Sequence, residues 1–411
     1  MKILWLNAGL LLPLDKGGKL RTWHLMRHLA RRHSITYVCF SEPNEKKEHR
    51  EGMVEVCNSL VTVARTDPSK GSLRFYADAA RHLTSPLPYA VGKYRSDEYA
   101  GRVQYLLQHG KFDVLVADFL PPVANLPASI PIPAVLFTHN VEAEIWRRHA
   151  ENASNPVSRL LLKQQWQRML RFERQALTRF DLVLAVSDTD RQTFGRLYPG
   201  ALRHPVHVIQ TGVDTSYFTP LPGREKRAHL VFTGSMDWLP NEDGMAYFVR
   251  EILPLIRQSL PDATLSIVGR APTPAVQRLA HESGVEVTGR VDDVRPHVAA
   301  GEVYVVPLRI GGGTRLKIFE AMSMAKAVVS TTIGAEGLPV TSGRDILIAD
   351  EPARFADAVV GLVNRADERG RIERAARQLV VQKYDWTAVA RDFEEALALA
   401  RGEPRASRMS A

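Results

Sequence analysis

The segment Arg309-Ile310-Gly311-Gly312-Gly313-Thr314-Arg315-Leu316-Lys317-Ile318-Phe319-Glu320-Ala321 holds the densest chemistry in the chain. It follows the apolar run Val303 to Val306 and opens a helical pattern. Three consecutive glycines let a backbone turn sharply and approach a ligand closely. Thr314 is placed to cap the helix. The first turn then carries Arg315 and Lys317, the wrong sign for a helix end that is already positive, at a cost of roughly 0.3–1 kcal/mol per cation. A capping box would put Glu or Gln at position 317, where Lys stands. Two broken local rules at a glycine loop beyond a strand point to a bound anion, a phosphate or diphosphate. The competing reading sends both cations to solvent, paired with acids such as Glu320 one turn on.

A weaker glycine turn, Lys16-Gly17-Gly18-Lys19, lies between the first strand and the first helix, with Arg21 beyond. It is neither a Walker A sequence nor GxGxxG. His139 follows the apolar run Ala134 to Phe137, at a strand end where functional side chains collect; a structural role is the competing reading. There is no Ser-His-Asp constellation, no HExxH and no DxD pair, and Asp292-Asp293 reads as a turn or helix cap. No metal site is expected.

These residues need elements to hold them. Lys2 to Asn7 reads as a buried strand, 19–32 as an amphipathic helix and Ile35 to Phe40 as a second strand, a βαβ unit. Strands are expected at Asp113 to Asp118, Ala134 to Phe137 and Asp181 to Val186, with one long basic helical stretch over 141–178. The second half alternates strands at 229–233, 264–268, 285–288, 303–306, 327–330 and 346–349 with helices at 243–258, 272–283, 293–300, 315–325, 351–365 and 368–382. That rhythm implies doubly wound parallel sheets, which bind ligands at the carboxyl ends of their strands.

The 411 residues are 45% hydrophobic and 24% charged, which excludes a disordered or collagen-like chain. Two cysteines exclude a disulfide framework, and the compartment reads as cytoplasmic. No apolar run is long enough to cross a membrane. The net charge of +9 is uneven: residues 1–200 hold 28 Lys and Arg against 19 Asp and Glu, and residues 201–411 hold 26 of each. The basic half is expected to meet an anionic surface or ligand, including the inner face of the cytoplasmic membrane. The stretch Arg159 to Arg179 interleaves cations with leucines; a core-facing amphipathic helix is the plainer reading and membrane docking the sharper one. No nucleic-acid motif appears.

Gly311 to Lys317 through Glu320-Ala321-Met322, with Ala327 to Thr331 and Gly334-Ala335-Glu336-Gly337-Leu338, resembles the donor-binding signature of glycosyltransferase family 4. Thr233-Gly234-Ser235-Met236-Asp237-Trp238-Leu239-Pro240-Asn241, Ile267-Val268-Gly269, Thr288 to Val294 and Tyr384-Asp385-Trp386 extend the resemblance over nearly the whole chain. Its branch is similar to sugar transferases of bacterial exopolysaccharide clusters, including exosortase-associated ones. The resemblance implies a GT-B fold, two Rossmann-like doubly wound parallel-sheet domains facing each other across a cleft. Residues 1–205 would form the acceptor-side domain and 206–385 the nucleotide-sugar domain. Residues 386–402 would form a helix crossing back to the first domain, and 403–411 a disordered tail. It implies that Glu320 holds ribose hydroxyls, Lys317 and Arg315 hold the diphosphate, and Gly311, Gly312, Gly313 and Thr314 line sugar and phosphate. Gly234 belongs to the donor site and Arg290 lies where backbone meets the base. Gly17 and Gly18 would approach the diphosphate, and His139 would face the reacting sugar. The first Glu of the family's Glu-seven-Glu pattern falls on Gly312, and the basic pair usual after the first strand of the second domain is absent from Gly234 to Asn241. The implied reaction is retaining, metal-independent transfer of a hexosyl group from a nucleoside diphosphate sugar to a lipid-linked or glycan acceptor, with no cofactor. A nucleotide-sugar epimerase or hydrolase, or a non-catalytic nucleotide-binding partner, are the alternatives.

Overall fold

The computed structural model describes residues 1–15, 17–66, 72, 85–153, 155–310 and 316–402. The chain forms two units, one of Met1–Gln210 together with the chain from Val389 onward, the other of Thr211–Ala388. Among the described residues, no helix is long and apolar enough to cross a membrane.

The first unit is a seven-stranded parallel sheet in the order β3-β2-β1-β4-β5-β6-β7. Its strands are β1 (Lys2–Leu6), β2 (Ser34–Ser41), β3 (Ser59–Ala64), β4 (Val114–Asp118), β5 (Ala134–Phe137), β6 (Leu182–Ala185) and β7 (His207–Val208). In register, Ile3 of β1 stands between Ile35 and Val114. Central strands such as β4 and β5 are buried along their whole length, which is why they read as unbroken apolar runs. β3 was not expected: it is an edge strand, half exposed, and Ser59 and Thr62 interrupt its apolar residues. The last helix, Trp386–Ala400, sends Phe393 against Trp5 (ring centroids 5.5 Å apart) and Glu394 to His33 at 2.8 Å.

The stretch read as one helix over 141–178 is two, Glu142–Glu151 and Pro156–Leu177. The Asn155 side chain accepts from Ser158 N at 2.8 Å, and Pro156 begins the second helix where its missing N–H costs nothing. The second helix buries residues only from Arg168 onward; Leu160 and Leu161 are exposed, not core-facing.

The second unit is a six-stranded parallel sheet in the order β10-β9-β8-β11-β12-β13. Its strands are β8 (His229–Thr233), β9 (Thr264–Val268), β10 (Val285–Gly289), β11 (Val303–Val306), β12 (Ala327–Ser330) and β13 (Leu347–Ile348). The helix expected at 243–258 begins earlier, as Leu239–Tyr247, and widens to a π-turn over Phe248–Ile252 before resuming as Leu253–Ser259. Pro254 explains the widening, because it lacks an N–H and its ring displaces the carbonyl four residues back.

Candidate functional site

In the second sheet the strand order reverses between β8 and β11, the place where open α/β sheets bind ligands. Gly234 follows β8 and donates to the Val268 carbonyl at 2.9 Å. Gly269 (φ 151°) closes the adjacent turn so tightly that a Cβ there would stand 1.7 Å from the Gly234 carbonyl oxygen; only glycine fits. A Cβ on Gly234 would in turn stand 2.8 Å from the Lys317 ammonium. The helix Leu316–Ser323 carries Lys317 in its first turn, and its Nζ donates to Asn241 Oδ1 at 2.9 Å and lies 4.0 Å from the Phe232 ring centroid. Asn241 is buried, and its own amide donates to the Ser235 carbonyl at 2.8 Å. That second bond orients the amide so that its oxygen faces the lysine.

Glu320 stands one turn beyond Lys317 and is half-buried. Burial pushes its carboxyl up to about 7, while the Lys317 ammonium pulls it down. No hydrogen bond to its carboxylate is found among the described residues. The pair thus offers a cation and a carboxyl group beyond the carboxyl ends of the central strands, the complement of a phosphate carried beside hydroxyls. Arg309 is engaged elsewhere, donating to Asp243 at 2.7 Å and covering the Tyr247 ring. Arg290 is exposed beyond the edge strand β10, two strands from β8, and no contact among the described residues joins it to Lys317. Gly311, Gly312, Gly313, Thr314 and Arg315 lie outside the described residues. Gly234, Lys317 and Glu320 are the expected site residues that this unit brings together.

In the first sheet the reversal falls between β1 and β4. Asp118, wholly buried at the end of β4, accepts from Asn7 Nδ2 at 2.7 Å, Thr22 Oγ1 at 2.8 Å and Trp5 Nε1 at 3.1 Å. Its other oxygen accepts from His139 Nε2 at 2.7 Å. The His139 Nδ1 lies 2.8 Å from Arg21 Nη1. A guanidinium only donates, so Nδ1 accepts and Nε2 carries the proton. Burial lowers the imidazole pKa, against the pull of Asp118, and lowers that of Arg21 to about 10. The His139 side chain is 3% exposed, so the ring is the centre of a buried polar network. Its face stacks on Phe119 at 3.8 Å between centroids, 7° from parallel. Gly18 completes this packing: a Cβ there would stand 2.6 Å from Phe119 Cζ. Gly17 begins the helix Gly17–Leu29, which supplies Arg21 and Thr22.

Asn241, Asp118 and Arg21 carry much of this geometry without having been singled out as site residues. Asp118 left one signal, a carboxylate ending an apolar strand, since a buried charge needs partners. Asn241 left none.

A family model described as Glycosyltransferase Family 4 matches residues 16–217, and one described as Glycosyl transferases group 1 matches residues 227–365. The chain is 24% identical over 165 residues to an uncharacterized 44.6 kDa protein in the cps region of Klebsiella pneumoniae, spanning 38% of this chain and 42% of that protein. It is 27% identical over 293 residues to the α-maltose-1-phosphate synthase of Mycolicibacterium smegmatis, spanning 63% of this chain and 71% of that enzyme. The crystal structure of Anabaena HepE in complex with UDP shares the fold with a TM-score of 0.66 at 17% identity, over 97% of this chain and all of that one. With both family models accounting for its two parallel-sheet units in turn, the chain belongs to the family 4 glycosyltransferases and has the GT-B fold.

Proposed function

We propose that this glycosyltransferase moves a hexosyl group from a nucleoside diphosphate sugar to a hydroxyl of a lipid-linked or polysaccharide acceptor, with retention of configuration, in exopolysaccharide or cell-surface glycan assembly. The observation that carries the donor reading is the Lys317 ammonium held against Gly234 at the strand-order reversal, beside the carboxyl of Glu320. In the reaction the bond from the anomeric carbon to the β-phosphoryl oxygen breaks and its electron pair leaves with the diphosphate. The acceptor oxygen bonds to that carbon on the same face, and its proton passes to the departing phosphate. Lys317 and Arg315 neutralise the charge that the leaving group gains, in place of a metal. Glu320 accepts from ribose hydroxyls, the glycines from 311 to 313 with Thr314 line the sugar and phosphate, and Arg290 borders the base. His139, expected to face the sugar, is instead an enclosed neutral ring with both nitrogens committed, and its part is to position Asp118 and Arg21.

The UDP carried by Anabaena HepE and the cps-region setting of the Klebsiella relative support a nucleotide-sugar donor and a surface-glycan role. The enzyme works on the inner face of the cytoplasmic membrane: the helix Pro156–Leu177 exposes Val157, Leu160 and Leu161 beside Arg159 and Lys163, and its one acid, Glu173, is buried. A thermal-shift screen against UDP, GDP, ADP and their sugars tests the donor, because a ligand of the folded state raises the melting temperature. One nucleotide diphosphate should raise Tm by several degrees, and its sugar should yield a new glycoside with a membrane extract. Release of free monosaccharide or an epimer in place of a glycoside would overturn the transferase reaction.

A further inference from the structure

A second surface lies wholly within the first unit. The helices Glu142–Glu151 and Asp188–Leu197 follow β5 and β6 and leave between them a groove of about 440 Å³, within the range of small-molecule sites. One buried carboxylate ties both walls. Glu173 accepts from the backbone N–H of Glu142 at 2.9 Å and of Ala143 at 3.2 Å, in the first turn of one wall. It also accepts from the hydroxyl of Tyr198, just past the end of the other. Glu173 thus links the two walls of the groove directly.

The side chains along it divide into committed and uncommitted groups. Glu144 takes Arg147 at 2.5 Å and Arg148 at 3.3 Å, and these cations hold its carboxyl below the usual range. Asp190 accepts from Ser187 Oγ at 2.6 Å. Arg196, Gln192 and Asn140 line the groove and make no side-chain hydrogen bond or ion pair among the described residues. With the Thr189 hydroxyl, which also lines the groove, the uncommitted set among the described residues is one guanidinium, two amides and one hydroxyl. A guanidinium fork matches a carboxylate or phosphate, and amides match hydroxyls.

We propose that this groove binds a hydroxylated ligand bearing an anionic group, phosphate or carboxylate, with Arg196 on the anion and Gln192 and Asn140 on the hydroxyls, as the acceptor end of the transfer reaction. The acceptor role rests on the transferase reading above; the binding does not.

The test is a set of titrations of the isotope-labelled full-length protein with glucuronate, glycerol 1-phosphate and glucose, followed by backbone amide NMR. At least one anion should shift amides at 140–148 and 187–196 and bind more tightly than glucose. A response to glucuronate identifies carboxylate chemistry, and one to glycerol 1-phosphate identifies phosphate chemistry. Arg196→Ala, at an exposed position, should fold normally and weaken the anion at least tenfold. Glucose binding as tightly as either anion, an Arg196→Ala protein of unchanged affinity, or no shift in the groove with any probe would overturn the proposal. A UDP titration of the same sample reports on residues 234–241 and 316–320 in the second unit. UDP binding without groove binding removes the groove alone, whereas groove binding without UDP binding removes the donor reading and leaves the groove.

Discussion

The Lys317 ammonium sits in the first turn of a helix, where the backbone already supplies partial positive charge. A neutral amide oxygen and the face of Phe232 hold it there. Neither of these two contacts is with an anion, and the proposed role of the ammonium is to meet a diphosphate whose charge grows as the sugar leaves. Lys317→Ala is expected to lower kcat/KM by about tenfold or more, the scale of losing one charge-stabilising group. Steady-state kinetics with the nucleotide sugar found by the thermal screen check this, and wild-type turnover in the variant would remove the assignment. The lysine was legible in the sequence because it breaks a local rule at its own position. Asn241, which aims it, was not, because the two residues are 76 positions apart and nothing local marks a buried asparagine as a partner.

Among elements, the pair Glu142–Glu151 and Pro156–Leu177 shows how one side chain sets an arrangement. Glu173 caps the first of these helices and reaches Tyr198, and burial pushes its carboxyl up to about 7 from 4.5. The folded protein therefore keeps a proton that the unfolded chain has already lost between those pH values. The unfolded state binds fewer protons across that window, so this group's contribution to stability falls as pH rises from about 4.5 to about 7 and is level above. Glu173→Gln should remove that fall, on the order of 1–3 kcal/mol of differential stability between pH 4.5 and 7.5. Denaturant melts of both proteins at the two pH values measure it, and parallel pH dependence in the two would contradict the assignment. In the sequence Glu173 looked like one more charge on a solvated basic helix; its burial comes from contacts with residues about 25–31 positions away. The break at Asn155-Pro156 was written locally, as a cap followed by proline, and the long run of helix-forming residues concealed it.

For the whole molecule, part of the uneven charge lies on one helix. The helix Pro156–Leu177 presents cations without an exposed acid and bares leucines on its first turns. Co-sedimentation with phosphatidylglycerol vesicles is expected at low salt, with release as the Debye length shrinks toward about 8 Å near 0.15 M. Leu160→Ser with Leu161→Ser should weaken it further, and no binding at low salt would refute the membrane role. The sequence by itself determined the alternation of strands and helices in both halves, because strands buried on two faces must be apolar throughout and the helices between them must be amphipathic. It also marked the loop ahead of Lys317, because glycine runs and misplaced cations are visible one residue at a time. Only the tertiary structure decided that His139 is a neutral, enclosed ring fixed by Asp118 and Arg21, that Glu320 stands beside Lys317 with no hydrogen bond to its carboxylate among the described residues, and that a groove opens between two helices tied to Glu173. Those outcomes depend on which strands lie side by side, and strand order brings together residues that the chain keeps up to 118 positions apart.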